Sequence, residues 1–260
     1  MKLTIQKPFH TTSYSITTNS RHLYEWLEIA YGEYATNVAQ ATHNIHIDVL
    51  NGFQSKVCVD GLELTVRDPV DYLNKYIYET SIMIPDYFLF HASAVQKNDK
   101  AYVFLSPTSR GKSTLTCYLV NNSFTFISDD VVAINKSDLQ IQRINNNIHL
   151  RPNGYNAIKD VLKNNRVLHC SYFCFDRYVF YPFFPSNYDK INCVEFFYTK
   201  FSPVNRITYL DTNDRNTVLY KSALYPYNID LKAFEFITKI QQNFHKMIEY
   251  NCFDFLVNNI

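Results

Sequence analysis

The sequence predicts an α/β fold in three parts: a small α+β lobe over residues 1–87, a strand–loop–helix–strand core that opens a domain at residue 88, and a helical C-terminal region that completes that domain at residue 260. Three observations predict it. Tyr102 to Asp130 reads as an apolar strand, a polar loop, a helix, a second apolar strand and an acidic pair. The residues before it alternate short strand patterns with two capped helical patterns. Near the C-terminus, Leu231, Phe234, Ile237, Ile240, Phe244 and Ile248 recur at helical spacing.

In the N-terminal lobe, Tyr14 to Thr18 is a strand. Arg21 to Tyr31 is a helix capped by Asn19 or Ser20, with Leu23, Trp26, Leu27 and Ala30 on one face. His43 to Leu50 sets Ile45, Ile47 and Val49 against polar neighbours, the pattern of a half-buried strand. His43 and His46 fall on opposite faces of that strand, which favours solvent-exposed surface over metal ligation. Lys56–Val59 and Leu62–Val66 flank Asp60-Gly61, a strong hairpin signal. Asp68 caps a helix that takes Pro69 at its first position and runs through Leu73 and Ile77 to Thr80, with Pro85 beyond its end.

The core starts with Phe88 to Val95, read as one strand with His91 inside it. Asn98 to Lys100 turns into the strand Tyr102 to Leu105, and Ser106 to Arg110 is a loop. Gly111-Lys112-Ser113-Thr114 opens a helix with Leu115, Tyr118 and Leu119 on one face. Phe124 to Ile127 is a strand that ends in Asp129-Asp130 and resumes as Val131 to Ile134. Leu139 to Ile144 and Ile148 to Leu150 are further strands, and Tyr155 to Leu162 is a short helix. The aromatic-rich stretch from Leu168 to Phe184 reads as core. Val194–Tyr198 and Ile207–Leu210 are strands, followed by helices over Asn216–Leu224 and Leu231–Glu249.

Strand, loop, Gly-Lys-Ser, helix, strand, acid is the layout of a phosphate-binding loop with its metal-side carboxylate. Unpaired N–H groups at a helix start point outward and cradle phosphate oxygens. Thr108, Ser109, Arg110, Gly111, Lys112, Ser113 and Thr114 are therefore the expected nucleotide contacts. Lys112 would neutralise the β- and γ-phosphates, and the Ser113 hydroxyl would face Mg²⁺ with an aspartate opposite. The first glycine of the usual G-x-x-x-x-G-K-[ST] pattern is Ser106 here.

Composition bounds the rest. Hydrophobic residues make up 47% of the chain and aromatic residues 16%, enough for packed cores and unlike a disordered chain. A net charge of +1 gives no electrostatic case for nucleic acid or membrane binding. The N-terminal segment Met-Lys-Leu-Thr-Ile-Gln-Lys-Pro has no apolar signal core, so a cytoplasmic location is expected. Six scattered cysteines fit reduced thiols better than a disulfide framework or a zinc site.

His91-Ala92-Ser93-Ala94-Val95, Gly111-Lys112-Ser113-Thr114 and Ser128-Asp129-Asp130-Val131-Val132 together resemble the kinase domain of HPr kinase/phosphorylase. The likeness is greater to the shorter HPr-kinase-like proteins encoded beside ribosomally made peptides, and Leu150-Arg151-Pro152 extends it. The resemblance implies a core shared with phosphoenolpyruvate carboxykinase, and ATP- or GTP-dependent, Mg²⁺-dependent phosphoryl transfer to a serine of a peptide or small protein. It implies Asp129 as general base, Ser113 and Asp130 as metal ligands, and His91 and Arg151 as phosphate contacts, with the two aspartate roles open to exchange. It also brings self-association as an expectation. Ser106 and Ser109 stand where the family has glycine, and Thr114 where the bifunctional enzymes have glutamate. Ile141 to Asn147 offers no acid, which argues against the phosphorylase activity and against HPr as substrate. Two other readings stay open: a partner-binding protein with a decayed loop, and a kinase acting on free serine.

Overall fold

The computed structural model describes every residue except 8–9, 52–53, 81–85, 145, 173–174, 184–190, 192 and 225–230. The chain divides into two compact units, Met1–Ile84 with Leu168–Val179, and Pro85–Val167 with Phe180–Ile260.

The first unit contains β1 (Lys2–Ile5), β2 (Tyr14–Thr18), α1 (Arg21–Tyr31), a single 3₁₀ turn (Gly32–Tyr34), β3 (His43–Asn51), β4 (Gln54–Val59), β5 (Leu62–Val66) and α2 (Pro69–Thr80). Its five strands form one sheet in chain order, with β2 and β3 parallel across the α1 crossover and the other neighbours antiparallel. Local chemistry fixes each end. The Ser20 hydroxyl accepts the Leu23 N–H, and Asp68 accepts the N–H groups of Val70 and Asp71. Asp60 and Gly61 both take left-handed backbone, at φ 48° and 90°, as a tight hairpin turn requires. Leu23, Trp26 and Leu27 pack with Ile45, Ile47, Val57, Leu73 and Ile77 in one core. His46 is exposed and meets Asp48, but His43 is half-buried. Its ring stacks on Tyr14 and its Nδ1 lies 2.7 Å from Asp60 Oδ2, so this histidine helps pin the hairpin.

The second unit begins with β6 (Tyr87–Phe90), β7 (Ala92–Lys97), β8 (Lys100–Leu105), α3 (Lys112–Val120), β9 (Thr125–Ser128), β10 (Val132–Asn135), β11 (Ile141–Gln142), β12 (Ile148–Leu150) and α4 (Pro152–Ile158). Two neighbouring strands follow, β13 (Val167–Tyr172) and β14 (Phe175–Phe180). Their central part belongs to the first unit, where Cys170 and Tyr172 enter the core. The sequence reading placed this stretch in the second domain; burial of its alternate side chains in the first core puts it elsewhere. The remaining elements are β15 (Cys193–Phe201), β16 (Arg206–Tyr209), α5 (Thr212–Ser222), α6 (Leu231–Gln241), β17 (Phe244–Tyr250) and α7 (Phe253–Val257).

Six strands of this unit form a sheet in the order β16-β17-β15-β8-β7-β9. β8, β15 and β17 are parallel, while β7 runs against both β8 and β9. Helices cover both faces. Leu115 and Leu119 of α3 and Leu256 of α7 pack with Phe104, Phe197 and Ile248. Leu219 of α5 and Phe236, Ile237 and Ile240 of α6 pack with Val103, Leu105, Phe196 and Phe244. Successive residues of one strand thus feed opposite cores. The protein is mixed α/β, and among the described residues no helix is long and apolar enough to cross a membrane. Cys58, Cys117, Cys170 and Cys252 are free thiols; Cys117 and Cys170 are buried and Cys252 is exposed. Cys174 and Pro85 lie outside the described residues.

Four expectations need correction. The strand expected over 88–95 breaks at His91, with β6 pairing β10 and β7 pairing β8 and β9. The strand expected to run past Asp130 breaks there too, at a residue with φ 63°. The short helix starts at Pro152 rather than Tyr155, because proline fits the first helical turn, and it ends at Ile158. The long C-terminal helix stops at Gln241, and Phe244–Tyr250 is a strand instead. Phe244 and Ile248 satisfy both periods, being four apart, and pairing with β15 decides for the strand.

Candidate functional site

One edge of the six-stranded sheet collects the residues singled out from the sequence. β8 and β9 are both antiparallel to β7, so their C-terminal ends lie beside the N-terminal end of β7. Leu105 is opposite Ala92, and Ser128 opposite Ala94. The loop after β8, the acidic pair after β9 and His91 before β7 therefore share that edge.

Asp129 is 1% exposed, and neither carboxylate oxygen has a hydrogen-bond partner of normal geometry among the described residues. Burial, followed by the neighbouring Asp130 charge, pushes the Asp129 carboxyl well above the usual carboxylate range. The Ser113 hydroxyl, the Asp130 N–H and Lys112 lie close enough to offset part of that rise. The Asp129 backbone is clamped instead of its side chain. Its N–H donates to Asn146 Oδ1 at 3.2 Å, and its carbonyl accepts from Asn146 Nδ2 at 2.5 Å. Val131 N–H closes a tight turn on the Asp129 carbonyl at 2.8 Å, which throws Asp130 into the left-handed region and outward to solvent.

Lys112, the first residue of α3, is also buried. Its Nζ donates to the carbonyl of Ser106 at 2.9 Å and contacts that of Pro107 at 3.4 Å, tying the end of β8 to the helix start. Burial lowers its pKa, and Asp130 and then Asp129 act against that. Gly111 precedes it at φ 90°, a conformation that costs glycine little, and a side chain there would grow toward the Tyr250 hydroxyl. Ser109 holds φ 64° without glycine's freedom. Thr108, Ser109 and Arg110 are exposed, and Ser113 is half-buried. His91 sits at the corner between β6 and β7. Its N–H donates to the Ser222 carbonyl at 2.6 Å, and its Nδ1 donates to the Asp130 carbonyl at 3.1 Å. Burial, then Lys112, lowers the His91 pKa, which favours a neutral ring.

Two expected residues lie differently. Thr114 is buried with its hydroxyl against Gly154 of α4, facing a helix contact. Arg151 caps α4 through its backbone; its side chain is exposed and makes no hydrogen bond or ion pair among the described residues. Sequence reasoning missed Asn146, Tyr250 and Gly154. Gly154 carries a signal, since the chain has only 5 glycines; Asn146 carries none, because its role depends on a long-range bond.

A Cβ on Gly154 would lie 2.4 Å from Thr114 Oγ1. Gly154→Ala is expected to cost about 1–3 kcal/mol by overpacking. Adding Thr114→Ala should recover most of that loss, as measured by urea unfolding of the single and double variants.

Among the described residues no cluster of three His, Cys, Asp or Glu side chains forms a ready metal cage. No protein-family model matches the chain, and comparison with curated proteins gives no match.

Proposed function

We propose that the chain is an ATP- or GTP-dependent, Mg²⁺-dependent kinase that transfers the γ-phosphoryl group to a serine hydroxyl of a peptide or small protein. The observation that carries this reading is Asp129: a buried carboxylate whose oxygens have no hydrogen-bond partner of normal geometry among the described residues, beside Lys112 and Ser113 at the end of a phosphate-loop-like turn. An ionised carboxylate in that position is costly unless a cation joins it. The Asp130 carboxylate and the Ser113 hydroxyl would supply oxygen donors of the kind that fit Mg²⁺, beside the Asp129 carboxylate. When bound, Mg²⁺ neutralises charge on the terminal phosphates.

The chain's own groups divide the remaining work. The N–H groups of residues 108–113 receive phosphate oxygens, and Lys112 exchanges its loop carbonyls for them. Asp129 is placed to accept the serine proton as the γ-phosphoryl group departs. His91, with Nδ1–H donating to the Asp130 carbonyl, holds the acidic turn beside the loop, and donation from its Nε2 to a phosphate oxygen requires the protonated ring. The reversed strand β7 sets this core apart from an all-parallel doubly wound sheet and supports the carboxykinase-type layout. Location in the cytoplasm, where both nucleotides are held, belongs to the same proposal.

One observation favours a second reading, a partner-binding protein with a decayed loop: Ser109 occupies left-handed backbone, and the Lys112 ammonium is already satisfied by loop carbonyls. Thermal shift with Mg-ATP and Mg-GTP separates the two. At a hundredfold excess over Kd, binding adds about 2.7 kcal/mol of stability. The wild type is expected to shift and Lys112→Ala to stay put. No shift in the wild type, or an equal shift in both, would replace the kinase reading with the second.

A further inference from the structure

We propose that β16 is the docking edge for an acidic, extended peptide segment, which adds to the six-stranded sheet as a seventh strand; that this segment belongs to the phosphoacceptor rests on the kinase reading. Among the described residues β16 ends the sheet and pairs only with β17. The Leu210 N–H donates to the His245 carbonyl at 2.9 Å. Bonded positions alternate along an antiparallel ladder. Arg206 and Thr208 therefore aim their backbone groups at β17, opposite Glu249 and Met247, and Ile207 and Tyr209 aim theirs outward. No described residue bonds those outward groups. Exposed strand edges are usually blunted by proline, charge or a covering element. Here Tyr209 is 74% exposed, and together with Phe201, Val204 and Ile207 it gives four exposed large hydrophobics between residues 201 and 209.

Charge selects the occupant. Glu249 is flanked by two cations, Lys200 at 3.2 Å and Arg206, whose Nε lies at 2.7 Å. Lys246, opposite Tyr209, makes no ion pair among the described residues and rests over the Phe197 ring. Asp211, just beyond the strand, is turned away to accept the Asp214 N–H. The edge is left with excess positive charge, which suits an acidic strand; a second copy would set the same cations against themselves.

Position links this edge to the site. Arg206 lies opposite Glu249, next to Tyr250, whose hydroxyl approaches Gly111. The Arg206 end of β16 therefore faces the edge that carries the loop. An added antiparallel strand runs toward that edge, and its main chain lies four strand spacings, about 19 Å, from β8. About six extended residues span that distance, so the acceptor serine is expected about six residues after the docking segment.

Fluorescence anisotropy with a labelled peptide of alternating Glu and Val tests docking. The wild type is expected to bind it, more weakly as salt rises, and to ignore a Lys-Val peptide of equal length. Ile207→Pro and Tyr209→Pro each remove one outward N–H, at positions where an edge strand tolerates proline. Each is expected to weaken binding at least tenfold while keeping the wild-type unfolding midpoint. Arg206→Glu should weaken it without touching the backbone, which covers the case of a proline variant that fails to fold. Lys112→Ala should bind the peptide like the wild type, so failure of nucleotide binding and failure of docking are told apart. Equal binding by the proline variants and the wild type, or equal binding of the Lys-Val peptide, would overturn the proposal. So would sedimentation of the wild type as a dimer that Ile207→Pro dissolves, which would give the edge to a second copy.

Discussion

Asp129→Asn is expected to slow phosphoryl transfer by about 10²–10⁴-fold, the usual contribution of a positioned general base, and at the same time to stabilise the ligand-free protein at high pH. The sign follows from burial. The folded-state pKa of Asp129 lies well above the ordinary value of 3.8. A group raised in this way gives its full stability below the unfolded-state pKa and loses it as pH climbs toward the folded-state value. Each pH unit inside that window costs about 1.4 kcal/mol. The amide does not titrate. Wild type and variant should therefore unfold at similar temperatures near pH 4 and diverge in favour of the variant by pH 8. Comparing the two removes the opposing trends of Asp60 and Glu249, whose pKa values are lowered by their partners. Thermal unfolding from pH 4 to 8 in the absence of nucleotide checks the stability half, and single-turnover transfer checks the catalytic half. Parallel unfolding curves across that range would deny Asp129 its buried, proton-holding state.

Asn146→Leu is expected to be the most damaging neutral substitution near the site. It keeps the volume and removes both bonds to the Asp129 backbone. A buried donor left without a partner costs about 1–3 kcal/mol, and the Asp129 N–H is stranded here, while its carbonyl keeps the Val131 N–H. The turn that carries both acids then loses its register with the phosphate loop, so kcat should fall while peptide KM holds. Asn146→Asp keeps the acceptor for the Asp129 N–H but places a second charge beside a carboxylate already short of solvent, and should be destabilising mainly above neutral pH. Urea unfolding at pH 5 and pH 8 separates the two variants. An unchanged midpoint for Asn146→Leu would show that the backbone clamp carries no weight.

Much of this arrangement was legible in the residues. Helix starts declared themselves through Ser20, Asp68-Pro69 and Gly111-Lys112, since caps act over one turn of chain. The Asp60-Gly61 hairpin was equally local. The sheet changes at His91 and Asp130 were not legible, because an apolar run of eight looks the same whether it stays in one sheet or crosses between two. Phe244 to Tyr250 failed for a related reason: residues four apart suit a helix and a strand alike, and only pairing with Phe196–Phe201 decides. At the site, the sequence named Lys112, Asp129, Asp130, Ser113 and His91, which the fold gathers at one edge. It could not see that Arg151 caps a helix in solvent or that Thr114 spends its hydroxyl against Gly154, as both depend on where α4 packs.

The bond from His91 to the Asp130 carbonyl ties together two segments that are distant in sequence, and Ser222 and Asn146 brace that junction from either side. The floor of the site is thereby a fixed frame, whereas residues 107–110 are exposed. Adaptation to an incoming molecule then falls on those four positions, each carrying about 1–2 kcal/mol of ordering entropy. Affinity and turnover become separable traits: exchanges among the loop residues can drift the first over a wide range, and the second stays anchored as long as the frame is intact.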